Sequence, residues 1–232
     1  MKAAIIGYGQ MGHIIERLAP DFDIEIAAKY WDEYPFASSD ETRAELQDVD
    51  VLIDFSVPDI ALDNIRTGLN LGKQIVIGTT AWFDRLDQVK QEVHAKGTGL
   101  VYASNFSLGV NLFYRLIRNS SKTMSKFKEY DPILEEKHHQ FKKDAPSGTA
   151  LEILKLMRSD YPDQDVPVTS VRGGFIPGTH TVTFDSPVDT IRLSHSARNR
   201  EGFAKGALMA AKWIIGRTGI FHFSEILDEI LK

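Results

Sequence analysis

The chain has 232 residues, 43% of them hydrophobic and 25% charged, an ordinary globular balance with room for one domain or two small ones. Its formal net charge of −5 speaks against a nucleic-acid-binding surface, and no apolar run approaches the length of a membrane span, so a cytoplasmic location is expected. Cysteine is absent, which excludes disulfides, thiolate catalysis and thiolate-ligated metal centres.

Residues 2–6 form a short apolar run, followed by Gly7, Tyr8, Gly9, Gln10, Met11 and Gly12 and then by His13-Ile14-Ile15-Glu16-Arg17-Leu18-Ala19. Strand, G-x-G-x-x-G and amphipathic helix are the context that a dinucleotide fingerprint requires. Gly7 allows the tight turn, Gly9 a close backbone approach to a pyrophosphate, and Gly12 close helix–strand packing. Such a turn also serves as a plain strand–helix connection, and its position between two correctly typed elements is what favours the cofactor loop. Residues 23–28 read as the second strand, running into Lys29-Tyr30-Trp31, with Asp32 and Glu33 arriving only later. NAD-preferring folds carry an acid at that strand end. Here Lys29 is either a solvated lysine at a loop mouth or a cation for the 2′-phosphate of NADPH. The expectation is use of both coenzymes with a lean towards NADPH.

A helix over residues 41–46, a strand over 49–55, a helix over 59–71, a strand over 74–77, a helix over 82–95 and a strand over 100–103 follow. Strands alternating with helices imply a doubly wound parallel sheet, with ligands at the carboxyl ends of its strands. The loops at 54–58, 78–80 and 103–106 therefore line one crevice. A long helical pattern over 108–126 leaves this first domain. A strand over 132–138 then leads to Glu135-Glu136-Lys137-His138-His139-Gln140-Phe141-Lys142-Lys143-Asp144-Ala145-Pro146-Ser147-Gly148-Thr149-Ala150. Ser147 caps a helix whose first N–H groups, at Gly148 and Thr149, favour an anion. Segments 166–171, 179–184 and 189–194 alternate apolar and polar residues, as half-buried antiparallel strands do. They make the second domain an open mixed sheet with helices on one face, an α+β layer. His180 and His195 read as polar-face residues of those strands and His13 as a helix-surface residue. An alanine-rich helix over 201–215, the segment 219–223 and a last amphipathic helix close the chain.

The run His138-His139-x-x-Lys142-x-Asp144-Ala145-Pro146-Ser147-Gly148-Thr149-Ala150 resembles the signature of the dihydrodipicolinate reductase (4-hydroxy-tetrahydrodipicolinate reductase) family of bacterial lysine biosynthesis. The likeness extends to Asp54-Phe55-Ser56-x-Pro58, Gly78-Thr79-Thr80, Ser104-Asn105-Phe106-Ser107-x-Gly109-Val110-Asn111 and Ala197-Arg198-Asn199-Arg200-Glu201-x-Phe203-Ala204-x-Gly206-Ala207. The resemblance implies a nucleotide domain over residues 1–107, completed by 203–232, and a substrate-binding and oligomerisation domain over 108–202. It also implies a homotetramer assembled through the second sheet. Hydride transfer between two such domains requires closure, with hinges expected near Ser107 and Phe203.

The resemblance implies NADPH or NADH as cofactor and, as substrate, a dicarboxylate that loses water to a conjugated imine. His138 is then the proton donor, its ordinary pKa near 6.5 being useful at neutral pH. Lys142 stabilises developing charge. His139, Ser147, Gly148, Thr149 and Arg200 hold the substrate. Gly7, Tyr8, Gly9, Gln10, Met11, Gly12, Lys29, Phe55, Gly78, Thr79, Thr80, Ala103, Ser104, Asn105 and Phe106 hold the coenzyme, the Gly-Thr-Thr and Asn-Phe loops bracketing the nicotinamide. No metal is expected: Lys142 and Lys143 repel a cation, and no H-x-x-x-H or H-E-x-x-H spacing occurs. The competing readings are a Rossmann dehydrogenase of semialdehydes or sugars, which does not need the Lys-x-Asp-Ala-Pro-Ser-Gly-Thr cradle, and a non-enzymatic dinucleotide sensor.

Overall fold

The computed structural model describes residues 1–230. Its contacts divide the chain into a first unit, Met1–Ser107 with Arg200–Lys232, and a second unit, Leu108–Asn199. The first unit resumes at Arg200, three residues before the expected return, because Arg200 is the N-cap of the returning helix. Residues 231 and 232 of the expected completing segment lie outside the described residues.

In the first unit, strands β1 (Lys2–Ile6), β2 (Glu25–Tyr30), β3 (Val51–Asp54), β4 (Gln74–Ile77) and β5 (Gly99–Tyr102) alternate with helices α1 (Gln10–Leu18), α2 (Asp40–Glu45), α3 (Ala61–Asn70) and α4 (Leu86–Lys96). The returning segment adds α7 (Glu201–Ile214), β10 (Gly219–His222) and α8 (Phe223–Ile230). All six strands run parallel in the order β10-β5-β4-β3-β1-β2. Val51–Asp54 is buried at every position, as strands covered on both faces are. The order reverses at β1, so the carboxyl ends of β1 and β3 frame the switch point where such sheets bind ligands. The second strand starts and ends two residues later than the sequence pattern suggests, and Lys29 and Tyr30 pair with Ile5 and Ile6. Gly206 of α7 has no room for a side chain: a Cβ there would stand 1.8 Å from the carbonyl oxygen of Phe106.

The second unit consists of α5 (Leu108–Met124), β6 (Asp131–His138), α6 (Gly148–Arg158), β7 (Val168–Arg172), β8 (Thr179–Asp185) and β9 (Thr190–Ser196). Its sheet runs β7-β6-β8-β9. It is mixed, as expected, but β7 is parallel to β6 rather than antiparallel, because α6 is the crossover that parallel pairing needs. One face of the sheet buries Leu134, Val182 and Phe184 against Phe113 and Ile117 of α5 and Ile153 and Met157 of α6. The other face carries Thr–Ser hydroxyl pairs, Thr179 with Ser196 at 2.9 Å and Thr181 with Ser194 at 3.0 Å.

Candidate active site

Side chains two apart on a strand share a face. On β6 this puts Glu136 and His138 on the buried face with Pro132 and Leu134. Glu136 is fully buried and His138 is 7% exposed. A buried carboxylate needs partners, and Glu136 has several. Arg172, at the end of β7, donates to Oε1 at 2.6 Å, and the Ser147 N–H donates to the same oxygen at 3.3 Å. Its Oε2 lies against His138 Nδ1 as an ion-pair contact, and neither atom has a hydrogen bond elsewhere among the described residues. Burial opposes the charge of Glu136, but Arg172, Ser170 and His138 outweigh it and hold the carboxyl at about 2. Burial pushes His138 below the ordinary imidazole range; Glu136 opposes that shift, while Lys142 and Arg172 add to it.

The strand ends at His138, whose carbonyl accepts from the Gly173 N–H at 3.0 Å, and a turn closed by Lys142 N–H to His139 O at 3.1 Å follows. The second histidine therefore leaves the pleat. His139 is half-buried, and its Nδ1 is a buried atom without a hydrogen-bond partner among the described residues, the kind of group a bound ligand satisfies. Lys142 Nζ pairs with Asp144 Oδ1 at 2.8 Å, which holds the Asp144 carboxyl below its ordinary value. Ser147 caps α6 as expected, accepting from the Ala150 N–H at 3.2 Å. Gly148 is exposed and a Cβ there would meet nothing within 4 Å, while its backbone N–H faces the Asp144 carboxylate, so the first turn of α6 already attracts a negative group. Thr149 is half-buried and shares a hydrogen bond with Tyr114 of α5.

Two histidines are not where the sequence reading put them. His180 lies on the buried face of β8 opposite Glu136, 4% exposed, with Nε2 3.0 Å from Ser147 Oγ. His195 turns towards α5, where a Cβ on Gly109 would come within 2.8 Å of its Nε2. The apolar–polar alternation of these strands hid both, because the histidines occupy the core-facing register. Glu136, His138 and His180 offer ligand atoms within 4.8 Å of one another. Arg172 sits on the carboxylate and Ser147 Oγ on His180, so the cluster is built as a hydrogen-bonded network around a cation it already holds.

Burial, then the neighbouring His138, holds His180 down at about 4. The stability it contributes is therefore complete above the ordinary value of 6.5 and is lost as pH falls through the folded value. Urea titrations of the wild type are expected to lose up to about 3 kcal/mol from this group across that window. His180→Asn should lose correspondingly less. Parallel curves for the two proteins would remove His180 as the source.

In the first unit the Gly7 N–H donates to the Tyr30 carbonyl at 3.0 Å, which ties the glycine loop to the end of β2. Gly7 has φ +88°, and a Cβ there would lie 2.4 Å from the Phe55 carbonyl oxygen. Gly9 and Gln10 are exposed, Tyr8 and Met11 half-buried and Gly12 buried. A Cβ on Gly9 would meet nothing within 4 Å, so its backbone is open to close approach, as a pyrophosphate requires. The residues present thus fit a dinucleotide. Buried Asp54, which the sequence reading placed in a crevice-lining loop without a role of its own, pins the neighbouring loops. It accepts from Ser56 N–H at 2.8 Å, Asn64 Nδ2 at 2.9 Å and Thr79 Oγ1 at 3.0 Å. The Thr79 hydroxyl is thereby engaged within the protein. A Cβ on Gly78 would strike the Phe55 ring at 2.3 Å, and the Phe55 and Phe106 rings lie 5.9 Å apart, so the loops after β3, β4 and β5 converge. Thr80 and Asn105 are half-buried there, Ser104 is exposed and Ala103 is buried. Asn105 Oδ1 accepts from the Ser107 N–H at 2.8 Å. Lys29 and Arg200 both belong to this unit. Lys29 is half-exposed at the end of β2 and Arg200 exposed at the start of α7.

Comparison with known proteins adds an independent line. The family model described as "Dihydrodipicolinate reductase, N-terminus" matches residues 1–106, and that described as "Dihydrodipicolinate reductase, C-terminus" matches residues 109–227. A 4-hydroxy-tetrahydrodipicolinate reductase of Christiangramia forsetii is 38% identical, over 100% of both chains. One of Methanoregula boonei is 33% identical, over 97% of each. Among solved structures, the dipicolinate-bound dihydrodipicolinate reductase of Paenisporosarcina sp. TG-14 is similar in fold, with a TM-score of 0.79 at 21% identity, covering 97% of this chain and 99% of that one.

Proposed function

Because the chain belongs to the dihydrodipicolinate reductase family, an NAD(P)H-dependent oxidoreductase family that reduces 4-hydroxy-tetrahydrodipicolinate to tetrahydrodipicolinate in diaminopimelate and lysine biosynthesis, we propose that the network at the end of β6 is its reaction centre. The first unit is then the dinucleotide-binding domain, and the second binds substrate and assembles the oligomer. One observation carries this reading: a buried histidine, held through Nδ1 by a carboxylate, stands beside a lysine and a helix N-terminus that already draws the Asp144 carboxylate.

The nicotinamide, when bound, supplies a hydride. His138 delivers the proton that the reduced, enamine form of the substrate then needs. It does so from Nε2, because Nδ1 is engaged by Glu136; Gly178 keeps the approach clear, since a Cβ there would stand 3.1 Å from that nitrogen. Lys142 exchanges Asp144 for a substrate carboxylate and steadies the charge that builds as hydride adds. Gly148 and Thr149 receive a carboxylate at the first turn of α6, which Ser147 caps, and His139 orients the ring through Nδ1. Gly7, Tyr8, Gly9, Gln10, Met11 and Gly12 carry the pyrophosphate. Phe55, Gly78, Thr79, Thr80, Ala103, Ser104, Asn105 and Phe106 hold the nicotinamide end. Oxidation of NADH and NADPH by the purified protein, with substrate formed in place from pyruvate and aspartate semialdehyde, tests the reading. Absence of turnover with either coenzyme overturns it.

Arg200 and Lys142 supply the cations that two carboxylates require beyond one helix N-terminus. Arg200→Ala is expected to raise the substrate KM by roughly tenfold or more, and Lys142→Ala to lower kcat as well. An unchanged KM for Arg200→Ala would leave that residue with a packing role alone. We also read the protein as a cytoplasmic homotetramer assembled through the Thr- and Ser-bearing face of the second sheet. No helix among the described residues is long and apolar enough to cross a membrane. Light scattering should return about four times the 26.1 kDa chain mass; a monomer refutes the assembly.

A further inference from the structure

The end of β2 lacks the acid that NAD-preferring folds place there, and the strand offers Lys29 instead. An acid nevertheless reaches the same spot from a different element. Glu16, on the second turn of α1, accepts from Lys29 Nζ through Oε1 at 2.9 Å and from the Tyr8 hydroxyl through Oε2. Lys29 Nζ also lies 4.9 Å from the centre of the Tyr8 ring. The three side chains thus form a closed set in which glycine-loop residue, helix and strand end are tied together. Both charged partners keep about a third of their surface in solvent, 37% for Lys29 and 36% for Glu16, so a ligand can reach them.

Asp32 and Glu33 are placed differently. They are the exposed tip of a tight hairpin turn, closed by the two 3.0 Å hydrogen bonds between Trp31 and Tyr34, and so are not a loose loop free to swing. Glu16 is the carboxylate in contact with the cation that a 2′-phosphate would use. We infer that Glu16 is a specificity-determining residue of the coenzyme site, restraining 2′-phosphate binding by neutralising Lys29 and by standing as a negative charge beside it. The inference rests on the dinucleotide reading of the glycine loop.

Two consequences follow from the chemistry. A 2′-phosphate entering this corner must take Lys29 from Glu16 and then sit near a carboxylate. A 2′-hydroxyl pays neither penalty and can donate to that carboxylate. Glu16 stays ionised throughout the neutral range, since Tyr8 and then Lys29 hold its carboxyl below the ordinary value. The balanced pair therefore accounts for acceptance of both coenzymes: the lysine admits the phosphate, and the glutamate limits how strongly it is favoured.

The test is competitive binding of 2′,5′-ADP and 5′-ADP, measured calorimetrically on the wild type, Glu16→Gln, Lys29→Ala and the double variant, with the kcat/KM ratio for NADPH over NADH alongside. Glu16→Gln should raise the preference for 2′,5′-ADP by about five- to twentyfold at low ionic strength, less at high salt. Lys29→Ala should lower it, and the Glu16→Gln gain should shrink in the Lys29→Ala background, since part of the effect runs through the lysine. Tyr8→Phe, which frees one Glu16 oxygen without altering charge, should move the preference far less. An unchanged preference in Glu16→Gln, or a full gain without Lys29, overturns the inference while leaving the nucleotide site standing. Failure of the wild type to bind either nucleotide overturns the site reading and this inference with it.

Discussion

His138→Gln is expected to lower kcat by roughly 10²–10⁴-fold, the usual contribution of a general acid, with coenzyme affinity little changed. Glutamine keeps a polar group of similar reach at a site that is 7% exposed, so the change removes the proton rather than the packing. The acid form is the working form, and burial sets the His138 pKa below 6.5 in the free protein. kcat/KM should therefore fall as pH rises through that value, being complete below it. A bound dianion stabilises the imidazolium, so the corresponding limb in kcat should lie at higher pH. Coenzyme titration and a thermal midpoint on the variant separate loss of chemistry from loss of fold. Near-normal turnover in a folded His138→Gln would remove the residue from the donor role.

The parts of the site that the sequence displays are those whose signal is local. Gly7, Gly9 and Gly12 between a strand and a helix, and Ser147 at the start of α6, are read from neighbours in the chain, and the structure forms that strand, loop, cap and helix there. The doubly wound sheet was legible for the same reason, since the alternation of apolar runs with helical periods is visible along the chain. What escaped notice joins distant segments. Asp54 organises the crevice through Asn64 and Thr79, and Glu16 meets Lys29 across a helix–strand contact. His180 reaches Ser147 across 33 positions. Glu136 had a readable signal, because residues two apart on a predicted strand share a face, and that rule sets Glu136 beside His138. For the adjacent pair His138 and His139 the same rule puts the two on opposite faces.

Glu136→Gln is expected to lower kcat by on the order of 10²–10⁴-fold, as removal of a buried acid behind a catalytic histidine does. It should also move the pH profile. The groups facing His138 are Glu136 beside it on β6, His180 on β8, Arg172 at the end of β7 and Lys142 in the following turn. Of these Glu136 alone favours the imidazolium, and at about 2 it remains ionised through the whole working range. Its loss therefore lowers the His138 pKa further, so the acid limb shifts to lower pH and part of the activity returns on acidification. The same substitution strands Arg172, a partner at 2.6 Å with 18% of its side chain exposed. Breaking such a pair costs about 3–5 kcal/mol, so stability falls too. Pairing Glu136→Gln with Arg172→Gln removes the unmatched charge and should restore much of the stability without restoring kcat. Glu136→Asp, which keeps the charge, should keep the limb near its wild-type position. A rate loss in Glu136→Gln that tracks stability alone, with the limb unmoved, would show that Glu136 holds the fold and does not orient the proton donor.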